Sequence, residues 1–142
     1  MAEKTTDELL NEIKKTGEID KFLDNNSGEF TDKPLHRYLC ELIENSGISK
    51  AEVIAGSSLN RIYAYQILAG KRLPSRDKLL AFAFGLKLSL EDTDRLLRYA
   101  GFSPLYARDR RDAVIISSLC NKESIFFVNE KLYDLGFRIL TA

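Results

Sequence analysis

One segment, Ile48–Pro74, restricts the fold of this 142-residue chain more than any other, because it predicts two short helices joined by a tight turn. Ser49 and Glu52 have the S-x-x-E spacing of a capping box, which predicts that the first helix begins at Lys50. The Gly-Ser-Ser run at residues 56–58 has the composition of a sharp turn. Two short helices in this arrangement are typical of a helix-turn-helix.

The second helix of this segment has two chemically different faces. Asn60 is placed to cap the helix, and Gly70 is placed to end it after Ala69. Helical spacing predicts an inward face that packs against the first helix and consists of Ala64, Ile67 and Leu68. The outward face consists of Arg61, Ile62, Tyr65, Gln66 and Ala69.

The outward face carries side chains that can read DNA bases. Arg61 can bond to a guanine edge, Gln66 can bond to an adenine edge, and Ile62 can contact a thymine methyl group. No acidic residue occurs from Val53 to Arg76, which suits phosphate contacts. We predict base contacts from Arg61, Ile62, Tyr65 and Gln66, and DNA backbone contacts from Lys50, Asn60, Tyr63, Lys71, Arg72 and Arg76. An ordinary helical hairpin with a solvated charged edge is the alternative interpretation.

Three stretches also carry a family resemblance. They are L-x-x-L-I-E-x-S-G-I-S-K-A-E-V before the turn, N-R-I-Y-A-Y-Q-I-L-A-G-K-R-x-P-S around the second helix, and D-K-L-L-A-F-A-F-G-L-K-L-S after it. Through them, Leu35–Leu88 resembles the Xre/Cro/phage-repressor class of helix-turn-helix domains. The resemblance implies an all-α chain with a compact, lambda-repressor-like bundle of five helices. We expect this bundle to be extended by N-terminal helices and by an extra C-terminal helical hairpin.

The resemblance implies further roles within the segment. Arg61, Ile62 and Gln66 would face the bases with Tyr65 beside them, whereas the Lys-Arg pair at residues 71–72 would meet phosphate. The family usually has Gly where this chain has Ser58, and we expect Ser58 to reduce stability if its φ is positive. The apolar Ile62 leaves two interpretations open, a thymine contact or a surface that docks a protein.

The charge of the chain is unevenly distributed. The chain has 21 basic and 21 acidic residues, but residues 1–33 contain only five lysines against nine acidic residues. We therefore predict an acidic N-terminal helical segment or arm at 1–33, followed by the DNA-binding domain at 34–105. Short apolar stripes predict two short helices in the acidic segment, which either pack as ordinary helices, form a loose arm, or dock a partner or the basic face.

An internal repeat occupies the C-terminal half. Residues 75–105 and 110–140 align without gaps at a spacing of 35, with eight identities in 31 positions. Matched serine caps and Gly-Phe stops predict two helical hairpins. Their helices are expected at Arg76–Leu86, Leu90–Ala100, Arg108–Cys120 and Ile125–Leu135.

The second hairpin, residues 106–142, is more apolar than one pair of helices requires. Phe126 and Phe127 are adjacent and therefore point in different directions on a helix, so one of them is expected to be exposed. The surplus is explained either by packing against the first hairpin and the N-terminal helices or by association with a partner. A homodimer suits the class, since paired half-sites multiply affinity.

Other function classes find little support in the residues. The single histidine, His36, and the two cysteines do not form a zinc motif, and no nucleophile motif or phosphate loop is present. We therefore predict no enzyme activity, no cofactor and no metal. Cys40 and Cys120 are expected to be buried and reduced, and the charged run Arg108–Asp112 is expected to be a solvated helix start with internal ion pairs. We expect no membrane segment or signal peptide, and hence a cytoplasmic protein.

Two functional hypotheses follow. The first is a dimeric transcriptional regulator, of the repressor type, that binds double-stranded DNA. The second is a protein-interaction adaptor that keeps the helix-turn-helix but docks a protein through Ile62, Tyr63 and Tyr65.

Overall fold

Nine α-helices and no β-strand occur among the residues that the computed structural model describes, which are 4–30 and 32–142. The predicted all-α fold is confirmed. The helices are α1 Thr6–Lys15, α2 Ile19–Asn25, α3 Leu35–Ser46, α4 Lys50–Ser57, α5 Arg61–Leu68, α6 Arg76–Leu86, α7 Leu90–Tyr99, α8 Arg110–Cys120 and α9 Ile125–Asp134, and a 3-10 turn spans Ser27–Glu29. Residues 1–3 and 31, which belong to the predicted acidic segment, lie outside the described residues.

The chain forms two compact units, Met1–Asp32 and Lys33–Ala142. The first corresponds closely to the acidic segment predicted at 1–33. The second contains both the predicted DNA-binding domain and the C-terminal hairpin, so the boundary predicted after residue 105 falls inside it. One apolar core runs through this second unit, from Leu39 to Leu140.

The first unit consists of two short helices held together by polar contacts. Thr5 and Glu8 form the full capping box at the start of α1. In α2, Phe22 is buried and packs edge-on against Phe30. Hydrogen bonds from Lys4 and from an asparagine of the following turn lower the pKa of the Glu12 carboxyl.

Helix α6 is the centre of the second unit. Every residue from Leu79 to Leu86 is buried, because α3, α4, α7 and α9 surround the helix. A helix that is apolar on all sides is stable only when neighbours cover each side. The helices of the predicted DNA-binding domain therefore depend on α6 for their positions.

Helices α4 and α6 cross at very short distance. A Cβ atom on Gly85 would lie 2.2 Å from the carbonyl oxygen of Val53, and one on Gly56 would lie 3.2 Å from the Cα of Gly85. Gly56 was predicted to belong to the turn, but it lies inside α4 and faces α6. The absence of a side chain allows the two backbones to come into contact.

The internal repeat is visible in the structure as two matching hairpins, α6–α7 and α8–α9. Ser89 and Ser124 cap the second helix of each hairpin, and Lys87 and Lys122 adopt the same left-handed conformation, with φ of 56° and 55°. The predicted serine caps are confirmed, as are the glycine stops, where Gly101 and Gly136 have φ of 83° and 82°. Helix α8, however, begins at Arg110 and not at Arg108. Helices α7 and α9 begin and end 35 residues apart.

Two ion pairs join the hairpins reciprocally. The guanidinium of Arg76 donates to both carboxylate oxygens of Asp112 at 3.0–3.1 Å, and that of Arg111 donates to both of Asp77 at 2.9–3.1 Å. Arg76 and Arg111 are equivalent in the repeat, and so are Asp77 and Asp112, so each hairpin supplies the arginine of one pair and the aspartate of the other. This exchange indicates that the hairpins are related by an approximate two-fold rotation. The solvated run predicted at Arg108–Asp112 is therefore corrected, because two of its charges bind the first hairpin.

The exposure of the cysteines also differs from the prediction. Cys40 is partly buried, whereas Cys120 is exposed, and both are free thiols. Cys120 occupies the repeat position of Gly85, but among the described residues α4 packs closely on α6 and makes no comparable contact with α8. Within the described residues, no helix combines the length and apolar character required to cross a bilayer.

The crossing of α4 and α6 predicts a strong effect of a single methyl group. Gly85→Ala should lower the free energy of unfolding by about 3 kcal/mol, because the new Cβ would collide with backbone that cannot move independently. Gly17→Ala is the matched control, since a Cβ there meets nothing within 4 Å. Urea titration followed by circular dichroism measures both variants, and equal stabilities would contradict the close crossing.

The reciprocal ion pairs predict a pH-dependent contribution to stability. Burial raises the pKa of Asp77, but hydrogen bonds and charges from Arg111 and Arg138 outweigh it and hold the pKa below its usual value. Asp77→Asn should cost about 2–3 kcal/mol at pH 7, because it leaves a partly buried guanidinium without its counter-charge.

The sign of this effect follows from the lowered pKa. The contribution of Asp77 is present above the unfolded-state pKa of about 3.9 and disappears as the pH falls through the lower native value. The stability difference between wild type and Asp77→Asn should therefore shrink below about pH 4. Asp92→Asn, which removes one partner of a more exposed pair with Arg95, should change stability by about 0.5 kcal/mol or less. A loss for Asp77→Asn that is as large at pH 3 as at pH 7 would contradict the ionic origin.

Candidate nucleic-acid interface

Serine residues lie at both ends of α4, including the turn that joins it to α5. Ser49 caps α4 by accepting from the Glu52 N–H, but its hydroxyl bonds to the Glu52 carboxylate, so the reciprocal half of the predicted capping box is absent. The helix continues to Ser57, whose buried hydroxyl donates to Ile54 and accepts from the N–H two residues later. The chain reverses at Ser58 with φ of 56°, so the condition under which Ser58 was expected to reduce stability is met.

Helix α5 begins where the sequence predicts and presents the predicted faces. The side chain of Asn60 accepts from the N–H of Tyr63 and caps the helix. The predicted inward residues, Ala64, Ile67 and Leu68, are all buried. The observed helix ends at Leu68, one residue earlier than predicted.

The opposite face of α5 is open to solvent. Arg61, Ile62 and Ala69 are exposed, with 71% of Ile62 accessible, while Tyr65 is 37% accessible and Gln66 is partly buried. The four predicted base-reading residues therefore lie together on one accessible face.

Two arginine side chains, Arg61 and Arg72, contact neighbouring residues of α5. The Nε of Arg72 donates to Oε1 of Gln66 at 2.6 Å, and its guanidinium lies 5.7 Å from the ring centre of Tyr63. Similarly, the guanidinium of Arg61 lies 5.8 Å from the ring centre of Tyr65. Both separations lie within the range of cation–π attraction, so the rings help to orient the two arginines.

The chain leaves α5 through a tight left-handed turn. Gly70 has φ of 79°, and the N–H of Lys71 bonds to the carbonyl of Gln66 while that of Gly70 bonds to Ile67. This pair of bonds is a Schellman motif. A Cβ on Gly70 would lie 2.7 Å from the ring of His36, so packing as well as backbone conformation favours glycine. The turn presents Lys71 directly beside the end of the outward face.

The predicted DNA backbone residues separate into two groups. Lys50, Asn60, Lys71 and Arg72 are exposed, and Tyr63 is partly buried. Arg76 differs, because its guanidinium binds Asp112 and also donates to the carbonyl oxygens of Ser103 and Pro104. The structure therefore does not bring Arg76 to the face with the other residues.

Two concave surfaces of similar size differ sharply in charge. A shallow groove of about 650 Å³ over α5 has no acidic lining residue and is formed by Arg61, Ile62, Tyr65, Gln66, Ala69 and Lys71. A second, of about 560 Å³, lies against α4 near the C-terminal ends of α6 and α8, and Glu52 and Glu123 there offset its two lysines. Only the first therefore suits a polyanion.

Sequence reasoning missed the contact between Arg72 and Gln66. The two residues are six positions apart, across a helix end, so helical periodicity does not bring them together.

Among the described residues, no group of three or more His, Cys, Asp or Glu side chains is arranged to hold a metal ion. No family model, curated protein or solved structure matches the chain.

Proposed function

We propose that the chain regulates transcription by binding double-stranded DNA sequence-specifically, with α5 in the major groove. The observation that carries the proposal is the accessible face of α5, where Arg61 and Gln66 lie side by side in a groove without acidic lining residues. Eight residues make a helix about 12 Å long. This length suits the major groove, which is about 12 Å wide.

Local charge, rather than total charge, supports phosphate binding. The chain has a formal net charge of zero, so long-range attraction to DNA is weak. Of the four basic residues between Val53 and Arg76, Arg76 is engaged inside the fold, which leaves Arg61, Lys71 and Arg72 exposed. Binding therefore depends on a few close contacts at this face, together with Lys50 at the start of α4.

The hydrogen bond between Arg72 and Gln66 favours base reading. It restricts the rotamers of Gln66, so less side-chain entropy is lost when the amide meets a base. The Oε1 atom still has a second lone pair, and the amide NH₂ keeps both donors. Gln66 can therefore make the paired contacts with adenine while Arg72 holds it.

A protein-docking role is the competing function, and the exposure of Ile62 favours it. An aliphatic side chain that is 71% accessible beside Tyr65 suits an apolar partner as well as a thymine methyl group. Binding to random duplex DNA distinguishes the two functions. A DNA-binding regulator binds with an affinity that falls as salt rises, whereas an adaptor shows no such binding.

The proposal predicts opposite signatures for two neighbouring residues. Lys71→Ala should weaken binding equally on all duplexes and reduce the slope of log affinity against log salt by about 1, because one fewer counterion is released. Gln66→Ala should cost about 1–3 kcal/mol on a duplex selected from a random pool, and should leave the salt slope unchanged. Fluorescence anisotropy at several salt concentrations measures both quantities.

Lys122→Ala is the matched control, since this exposed lysine lies outside the α5 face and should affect neither quantity. Two results together would reject the docking orientation. One is an unchanged slope for Lys71→Ala, and the other is an equal loss for Gln66→Ala on selected and random duplexes.

A further inference from the structure

A cavity lies where the second hairpin meets the predicted DNA-binding bundle. Its walls come from three places, which are α4, the C-terminal end of α6 with the following loop, and the C-terminal end of α8 with the start of α9. We call this space the hairpin cavity. Its volume of about 560 Å³ lies within the range of about 300–1,000 Å³ that small-molecule sites occupy.

The internal repeat contributes to the hairpin cavity twice. Equivalent positions of the two hairpins line it together, in the pairs Phe84 with Leu119, Lys87 with Lys122, and Leu88 with Glu123. The reciprocal ion pairs join the hairpins at the N-terminal ends of α6 and α8, whereas the cavity lies at the C-terminal ends of the same helices. The second hairpin therefore supplies one side of a concave site that the first hairpin and α4 do not form by themselves.

The walls of the hairpin cavity are mostly apolar. On α4 the lining residues Ala55 and Gly56 are small, so this helix contributes little bulk to the space. The larger apolar side chains that line the cavity are Ile48, Phe84, Leu88, Leu119, Ile125 and Phe126. Apolar walls with a few polar groups are typical of sites for small organic molecules.

The charged residues of the cavity indicate the charge of its ligand. Lys87 and Lys122 are matched in number by Glu52 and Glu123, so the lining has a formal net charge of zero. A ligand with a net charge would be attracted by one pair and repelled by the other. At the packing density of protein interiors, the cavity accommodates up to about 20 non-hydrogen atoms.

We propose that the hairpin cavity binds a small, uncharged and largely apolar organic molecule. Its position beside α4 couples this molecule to the outward face of α5. Ala55 and Gly56 lie in the last turn of α4, directly before the turn at Ser58 that leads into α5. A molecule bound there stabilises the position of α4 from which α5 presents its outward face.

The coupling rests on the proposed function, because it is a coupling to DNA. DNA that binds α5 requires the same arrangement of α4 and α5, so the small molecule and DNA should each strengthen the binding of the other by the same factor. Binding of the small molecule itself needs no DNA and is therefore tested without it.

The first test compares two fluorescent probes that share one apolar body. N-phenyl-1-naphthylamine is uncharged, and 8-anilino-1-naphthalenesulfonate adds one negative charge. The full chain is titrated into a low, fixed concentration of each probe, and the uncharged probe should bind saturably and more tightly than the sulfonate by roughly threefold or more. Tighter binding of the sulfonate, or no saturable binding of the uncharged probe up to roughly 200 µM protein, would overturn the proposal.

Two variants locate the probe. Phe126→Glu gives α9 the residue that α7 has at the equivalent position, Glu91, so the chain should fold normally by circular dichroism and bind the uncharged probe roughly tenfold more weakly. Tyr133→Arg is the matched control, because it likewise copies α7 on an exposed position of α9 but lies outside the cavity.

A second variant charges the opposite wall of the cavity. Ala55→Glu on α4 should also weaken the uncharged probe, whereas Ala107→Glu, at an exposed position outside the cavity, should not. Equal losses for Phe126→Glu and Tyr133→Arg, or unchanged affinity in both Phe126→Glu and Ala55→Glu, would overturn the location.

The coupling is measured with the selected duplex carrying a red fluorophore. Saturating N-phenyl-1-naphthylamine should raise the affinity of wild type for the duplex by roughly twofold or more, and should have no effect on Phe126→Glu. A duplex affinity that the bound probe leaves unchanged or weakens would refute the coupling. A protein that binds the probe in the cavity but binds no duplex would refute only the proposed function.

Discussion

The close crossing of α4 and α6 is the constraint on which the candidate interface depends. Gly85 brings the backbone of α6 against the carbonyl of Val53, so α4 is fixed by backbone contact as well as by its buried side chains, Val53 and Ile54. The turn at Ser58 then transfers this position to α5. Because α6 is buried on every side, the orientation of α5 is tied to the whole core of the second unit.

The internal repeat explains how the chain adds a second hairpin without losing the first. Reciprocal pairs between Arg76, Asp77, Arg111 and Asp112 join the hairpins near the N-terminal ends of α6 and α8. Each guanidinium also donates to a backbone carbonyl 27 residues further along the chain, so the carboxylates and the returning chain together satisfy the buried charge. This arrangement engages Arg76 inside the fold and removes it from the exposed basic residues near α5.

The two hairpins differ in sequence at positions where neighbouring helices cover α6 but leave α8 exposed. Phe82 and Gly85 of α6 lie under neighbouring helices, whereas their equivalents on α8, Ser117 and Cys120, are exposed. On the outer side of the second hairpin the substitution runs the other way, from charged residues on α7 to aromatic residues on α9. The polar residues of α8 are therefore explained by contact with solvent, whereas the exposed aromatic residues of α9 are not.

Local signals in the sequence predicted most of the helices. Caps at Ser49, Asn60 and Ser124 depend only on residues three or four positions away, and the stop at Gly70 depends on the preceding turn of helix. The faces of α5 likewise follow from helical periodicity. The predicted inward residues are buried and most of the predicted outward residues are exposed, whereas Gln66 is partly buried.

Contacts between distant residues were not predictable in the same way. The sequence around Gly56 has the composition of a turn. Only the structure shows that Gly56 lies against α6, where the absence of a side chain allows the two helices to pack closely. The partners of Arg76 and Arg111 lie 34–36 residues away, where no local rule pairs them. The exposure of Cys120 similarly depends on distant helices, because in the part of the chain that the structure describes α4 packs on α6 and not comparably on α8.

The central claim is that DNA binds the outward face of α5. Backbone amide shifts of ¹⁵N-labelled protein, titrated with a selected duplex, test this claim most directly. The largest changes should occur across Arg61–Leu68, at Lys71 and at the start of α4, because these groups would meet bases and phosphates. Changes confined to α7–α9, or no change at a duplex concentration that saturates binding in a separate assay, would contradict the account.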